Sequence, residues 1–421
     1  MSQEPAPHAH LPKAVAGVLA MSFLLNAVIE LALAPPWNQT VLTPVLSFVQ
    51  GHMGSDSWGP MDVALWHIDS RDPRLLYDAV LFQQGVKFQY PPTALLVRDV
   101  LLHSLGASAL PQALNVITWV AVAVTALVAG VLLAWGSAGR RRATLMLLGS
   151  AATLTFYPVV KAYELGQIQA WISALAAVIL WAWIRGRRGL AGVLLGLICL
   201  IKPHFALVGL WALLRGERRF AGAAALTALT GLGLSTLRYG LDNHLNYLAA
   251  LSFLGRHGES YYPNQSANGL LHRFFLNGDN LAWHSDSFPP FHPLVFVGTL
   301  CSSLVLAALA LFWPGTTRTR GGPFDLSGVL LATVMASPIT WESHYGLLPP
   351  LIAILAPWVL RVGATTHWPG FLLTAGYLLS ANFFAVTRRL AETPWNPLQS
   401  YLYFGALLIF GLLLAARTRE V

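Results

Sequence analysis

Long apolar runs recur along the chain, separated by short polar breaks. Windows of spanning length lie at about 14–34, 112–135, 143–160, 167–184, 220–238, 293–313, 325–340, 344–360, 368–386 and 398–416, and about 20 apolar residues carry a helix across a bilayer. The stretch 190–214 is as apolar but is broken by Lys202-Pro203. Proline removes a helical hydrogen bond and clashes with the preceding turn, so two helical segments are expected to meet at Lys202 and return to the same side. The shorter run 93–106 carries Arg98-Asp99, which suits an interfacial or partly inserted helix. The pattern predicts an all-α polytopic membrane protein with about twelve hydrophobic segments, built as one integral-membrane domain over residues 1–421. Two long polar loops, about 35–92 and 240–292, are expected to cap it on one face. At the N-terminus, Ala32-Leu33-Ala34 has the look of a signal-cleavage site. Pro35 would then be the first mature residue and only Lys13 precedes the run, so a retained anchor is expected.

Composition agrees with the pattern. The 421 residues are 55% hydrophobic and only 10% charged, with mean hydropathy +0.57, whereas soluble domains carry about 25% charged residues. The net charge of +8 is assigned to membrane orientation and not to nucleic acid. Basic clusters occur at Arg140–Arg142, Arg185/Arg187/Arg188, Arg215/Arg218/Arg219, Arg318/Arg320 and Arg417/Arg419. Placing them all in the cytoplasm gives alternating spans with both termini inside. Cys199 and Cys301 sit within apolar runs and are expected as small buried hydrophobes.

The unusual polar residues then fall on the outer side or at broken helices. Asp56, Asp62, Asp69, Asp72 and Asp78 crowd the stretch Gly51–Pro92, five of the 18 acids in the chain. Asp62, in an apolar patch beyond the first span, suits a general base, and it suits a helix N-cap as well. Asp56, Asp69 and Asp72 compete for the role, the last two bracketing Arg71 as local ion pairs. Tyr90 opens a rigid Tyr-Pro-Pro that returns the loop to the membrane. Lys161 and Glu164 read as a local helical pair, and Gly166-Gln167 opens the next helix, whose N-terminus favours an anion. Lys202 is costly within an apolar run and suits a phosphate-bearing ligand. The 240–292 loop offers Asn264, Gln265 and Arg273 among aromatics, and the break 337–345 offers Trp341, Glu342 and His344. Asn264-Gln265-Ser266 and Asn38-Gln39-Thr40 also fit a short glycosylation pattern. No Gly-rich nucleotide fingerprint, GxSxG or HExxH is present, and His284, Asp286 and His292 lack zinc spacing. No metal site or cofactor is expected, with a divalent cation left open.

The ordered series Asp62, Tyr77-Asp78, Phe88-Gln89-Tyr90-Pro91-Pro92, Gly166-Gln167, Gly192, Gly196, Lys202-Pro203, Asn264-Gln265-Ser266 and Ser337-Pro338 through Trp341 to His344-Tyr345 resembles glycosyltransferase family 87. That resemblance implies a GT-C membrane fold and a polyprenyl-phosphate-mannose-dependent α-1,2-mannosyltransferase with an extracytoplasmic active site. The donor would be a polyprenyl-phosphate sugar and the acceptor a lipid-linked or glycan hydroxyl, with the protein in a bacterial inner membrane. The family's acid lies in an Asp-Phe-x-x-Tyr-Tyr-like pattern, which reads here Asp62-Val63-Ala64-Leu65-Trp66-His67, with Trp66 where the family has tyrosine. Asp62 is then the expected catalytic base, acting with inversion. Lys202, His344, Arg273, Tyr90, Gln167, Asn264, Gln265, Glu342 and Trp66 are the expected substrate contacts. A transporter or flippase of a lipid-linked sugar is the alternative, because broken helices around a buried lysine also suit transport.

Overall fold

The computed structural model describes residues 10–33, 41–315, 320–363 and 366–418. Asn38-Gln39-Thr40, Arg318 and Arg419 lie outside the described residues. Helices dominate, and among the described residues β-pairing is confined to one isolated bridge between Asn264 and Trp341.

Among the described residues, six helices are long and apolar enough to cross a membrane: Leu11–Ile29, Leu110–Leu133, Arg218–Tyr239, Pro293–Phe312, Glu342–Val362 and Asn396–Thr418. The helices Gly139–Leu154 and Tyr157–Glu164, bent by 54° at their junction, make a seventh if counted as one span. The expected twelve also included apolar runs that form helices too short to cross alone, namely Gln169–Ile184, Arg188–Ile201, Pro203–Leu214 and Pro323–Met335. Arg188–Ile201 has 14 residues, about 21 Å at 1.5 Å per residue against a hydrocarbon core of about 30 Å. These helices begin or stop where the sequence turns polar, at Gln167, Lys202 and Ser337. Their ends therefore leave a recess inside the molecule.

Close packing holds the short helices in place. A Cβ at Gly192 would lie 2.3 Å from the Phe220 carbonyl oxygen, and one at Gly196 would lie 2.7 Å from that of Ala224. This Gly-x-x-x-Gly stripe lets the Arg188–Ile201 and Arg218–Tyr239 backbones touch, the small-residue contact that replaces hydrophobic driving force in lipid.

The two ends of the molecule differ. At one end the basic loops converge. Arg215 pairs with buried Asp325 at 2.7 Å and Arg417 reaches the same carboxylate at 3.2 Å. Arg188 meets Glu217 at 3.2 Å, Trp183 donates to the Gly321 carbonyl, and Arg185 lies over the Trp135 ring. The Arg188–Glu217 contact closes the broken hairpin, so the chain runs from this end to Lys202 and comes back. The opposite end carries the two long connections. These contain helices: Leu42–Gln50 and Trp58–Asp69 in the first, Leu241–His257 and Ala267–Phe274 in the second.

Arg98 and Asp99 of the Leu95–Leu105 helix do not pair with each other. Arg98 binds Asp62, while Asp99 accepts from Arg238 at 2.9 Å and from the Tyr239 hydroxyl at 3.0 Å. Asp69 likewise binds Arg238, and Asp72 binds Arg74 instead of Arg71. Cys301 is exposed on its helix and Cys199 half-buried. An apolar run in a membrane helix faces lipid as readily as the core, so hydrophobicity alone does not mark the inward side.

Candidate active site

The recess is a cavity of about 1040 Å³, large enough for a drug-sized ligand. Its walls come from the 55–60 and 84–90 segments, the 161–167 turn, the Lys202-Pro203-His204 break, Tyr261–Pro263, Trp283–Asp286 and the 333–344 connection.

A backbone approach that only glycine permits positions its carboxylate. Gly166 has φ +67°, and a Cβ there would fall 2.0 Å from the Gly54 carbonyl oxygen. The 54–57 segment therefore lies flat on the 164–166 turn. The Gly54 amide donates to the Glu164 carbonyl at 2.8 Å, the Asp56 amide to Leu165 at 2.9 Å and the Ser57 amide to Gly166 at 3.3 Å. Ser57 Oγ accepts from the Ile168 amide at 3.0 Å and bonds the Tyr90 hydroxyl at 2.9 Å. Asp56 thereby faces the cavity. Its carboxylate accepts from Gln167 Nε2 at 2.5 Å, and Gln167 Oε1 accepts from the Ser343 hydroxyl. The cavity's protein walls desolvate this carboxylate and raise its pKa above that of free aspartate, against the Gln167 hydrogen bond and the Lys161 charge, which lower it. An aspartate so placed is a stronger base than one in water.

The helix break supplies the opposite charge. Lys202, in extended conformation between the two half-helices, points Nζ to within 2.8 Å of His344 Nε2. An ammonium has only donors, so the imidazole nitrogen facing it accepts. His204 lines the cavity beside them. Ser343 and His344 are neighbours in sequence, so hydrogen bonds link Asp56 through Gln167 to the segment that meets Lys202.

Of the expected site residues, the structure brings Tyr90, Gln167, Lys202, Glu342 and His344 to this cavity. Asp62 is not there. It sits further along the Trp58–Asp69 helix, 52% exposed, with Arg98 Nε on its carboxylate at 2.6 Å. Trp66, one turn on, is 68% exposed and also outside the cavity. Arg273, Asn264 and Gln265 are buried behind the wall. Arg273 donates to the carbonyls of Tyr262 at 3.2 Å and Asn264 at 2.9 Å and to Ser400 Oγ. Asn264 bridges Glu259, Pro338 and Thr340, and Gln265 donates to Tyr262 and Gln399. These three groups satisfy buried loop backbone, as buried polar groups must, and so fix the wall without lining it. Lys161 and Glu164 form the expected local pair at 2.6 Å, on the cavity's edge.

His204, Lys87, Tyr261 and Trp283 also line the cavity. His204 stood directly after Lys202-Pro203, which was a sufficient signal. Trp283 had none, because nothing in the sequence ties it to Trp341. Among the described residues, no three His, Cys, Asp or Glu side chains gather as a metal site.

The arrangement places a buried carboxylate, a lysine and apolar wall in one recess. No match was found among curated proteins or among solved structures. The sequence model of glycosyltransferase family 87 matches residues 88–338, more than half of the chain and including Gln167 and Lys202. The chain belongs to glycosyltransferase family 87, and with its apolar helices it is a membrane glycosyltransferase.

Proposed function

We propose that the protein transfers a hexose, mannose first among the candidates, from a polyprenyl-phosphate donor to a hydroxyl of a lipid-linked or glycan acceptor. Asp56, in place of Asp62, takes the acceptor proton as the hydroxyl oxygen attacks the anomeric carbon. The bond from that carbon to the phosphate oxygen breaks on the opposite face, with inversion. The phosphate departs already anionic, so it needs positive charge and donors more than a general acid. Lys202 is the residue for that task, with His204 and His344 beside it. The prenyl chain lies along the apolar wall near Ile201 and Leu207. In this reading the chain has the GT-C architecture in a bacterial inner membrane. Its basic end and both termini face the cytoplasm and its cavity faces outward.

The observation that carries the proposal is the sharing of one cavity by Asp56 and Lys202, linked through Gln167 and the Ser343-His344 segment. Asp62, by contrast, spends its carboxylate on Arg98. The test is transfer from labelled polyprenyl-phosphate hexose to native lipid extract by purified variants. Asp56→Asn should lose roughly 10²–10⁴-fold in turnover, the usual contribution of a general base, with donor binding kept. Asp62→Asn should retain most of its turnover. The opposite ranking would return the role to Asp62, and transfer undiminished in both variants would remove the base from this stretch altogether.

A further inference from the structure

One corner of the cavity is assigned neither to the base nor to the leaving group. Three rings meet there. The centroids of Trp283 and Trp341 are 5.2 Å apart, and Tyr261 lies 5.8 Å from the first and 6.5 Å from the second. They meet edge-on or tilted, and none lies flat on another. Neighbouring residues hold the corner in place. Lys87 sits 3.9 Å over the Trp283 ring and pairs with Glu259 at 2.7 Å. The Glu342 amide donates to the Pro263 carbonyl at 3.0 Å, beside the bridge between Asn264 and Trp341. Glu342 is buried at the foot of the rings. One of its carboxylate oxygens accepts from the Tyr157 hydroxyl at 3.1 Å, while Oε1 has no hydrogen-bond partner among the described residues.

We infer that this corner is the acceptor subsite and that the acceptor is itself a glycoside, one of whose sugar rings sits against Trp283 and Trp341 while a hydroxyl donates to Glu342 Oε1. The inference rests on the glycosyl-transfer reading above. The negative faces of aromatic rings attract the C–H face of a pyranose, and a carboxylate oxygen accepts from hydroxyls. A plain alkyl alcohol would leave most of the corner unused. The acceptor and not the donor belongs here, because Trp283 is 43% exposed at the cavity mouth, where a water-borne sugar enters. The donor's anionic group is drawn to the lysine at the helix break.

Direct binding tests this without requiring turnover. Purified protein in lipid nanodiscs is titrated with methyl α-hexosides and α-linked hexose disaccharides by calorimetry, and separately with polyprenyl phosphate lacking sugar. Wild type should bind at least one glycoside saturably. Trp283→Ala and Glu342→Gln should each weaken that binding roughly tenfold or more, with polyprenyl-phosphate binding unchanged. Absence of saturable glycoside binding by wild type, or wild-type affinity in both variants, overturns the inference. Joint loss of polyprenyl phosphate binding overturns it as well, since that reports a collapsed cavity and not a separate subsite. A wild-type protein that binds glycosides but transfers nothing from a polyprenyl-phosphate hexose supports the subsite and removes the donor assignment instead.

Discussion

Gln167 gives Asp56 its hydrogen bond and in turn receives one from Ser343, so its role is positioning. That bond favours the ionised carboxylate and lowers the Asp56 pKa, while burial raises it. Removing the bond leaves burial less opposed and moves the pKa further up. A base must be deprotonated to act, so Gln167→Met should shift the acid limb of the kcat/KM profile to higher pH, as well as lowering its plateau. A lowered plateau with an unmoved limb would mean that Gln167 only packs. The same scale explains why Asn264, Gln265 and Arg273 were misleading in sequence. Amide and guanidinium groups look alike whether they meet a sugar or a backbone carbonyl, and here the carbonyls are buried and take them.

Two elements set the site's dimensions, the helix break at Lys202-Pro203 and the turn at Gly166. The break was legible because a proline ends a helix and a charge in an apolar run is costly unless a partner or ligand meets it. The turn was legible only as a helix start. Its importance lies in the close passage of Gly54, a contact between segments more than a hundred residues apart. Gly166→Ala adds a methyl group where backbone oxygen already sits, besides the cost of about 1–2 kcal/mol for left-handed backbone. Gly186, at φ +72°, has open space around its Cβ position and pays only the second cost. Gly166→Ala should therefore lose roughly 10²-fold in transfer through displacement of Asp56, while Gly186→Ala keeps its rate after a smaller drop in thermal stability. Equal rates in the two variants would show that the Gly54 contact does not place the base.

At the scale of the whole molecule, the chain is polar along its axis. Basic loops meet around Asp325 at one end, and the cavity opens at the other. In the proposed orientation the basic end faces the cytoplasm. With Cys199 and Cys301 replaced by alanine, Ser285→Cys should react with an impermeant maleimide in intact cells. Arg219→Cys should react only after permeabilisation. The reverse pattern would turn the cavity inward and exclude an extracytoplasmic donor.

The sequence by itself determined the membrane class, the helical content and the break at Lys202. These follow from local composition and periodicity, which the bilayer enforces residue by residue. It also singled out the acids of one loop as candidates for the base. Which of those acids faces the cavity was decided by tertiary structure alone, because Arg98 and Gln167 lie far along the chain from the carboxylates they engage. The number of complete spans was decided there too. An apolar run reports that a helix is buried in lipid or protein, but where it stops short depends on the neighbours that receive its end.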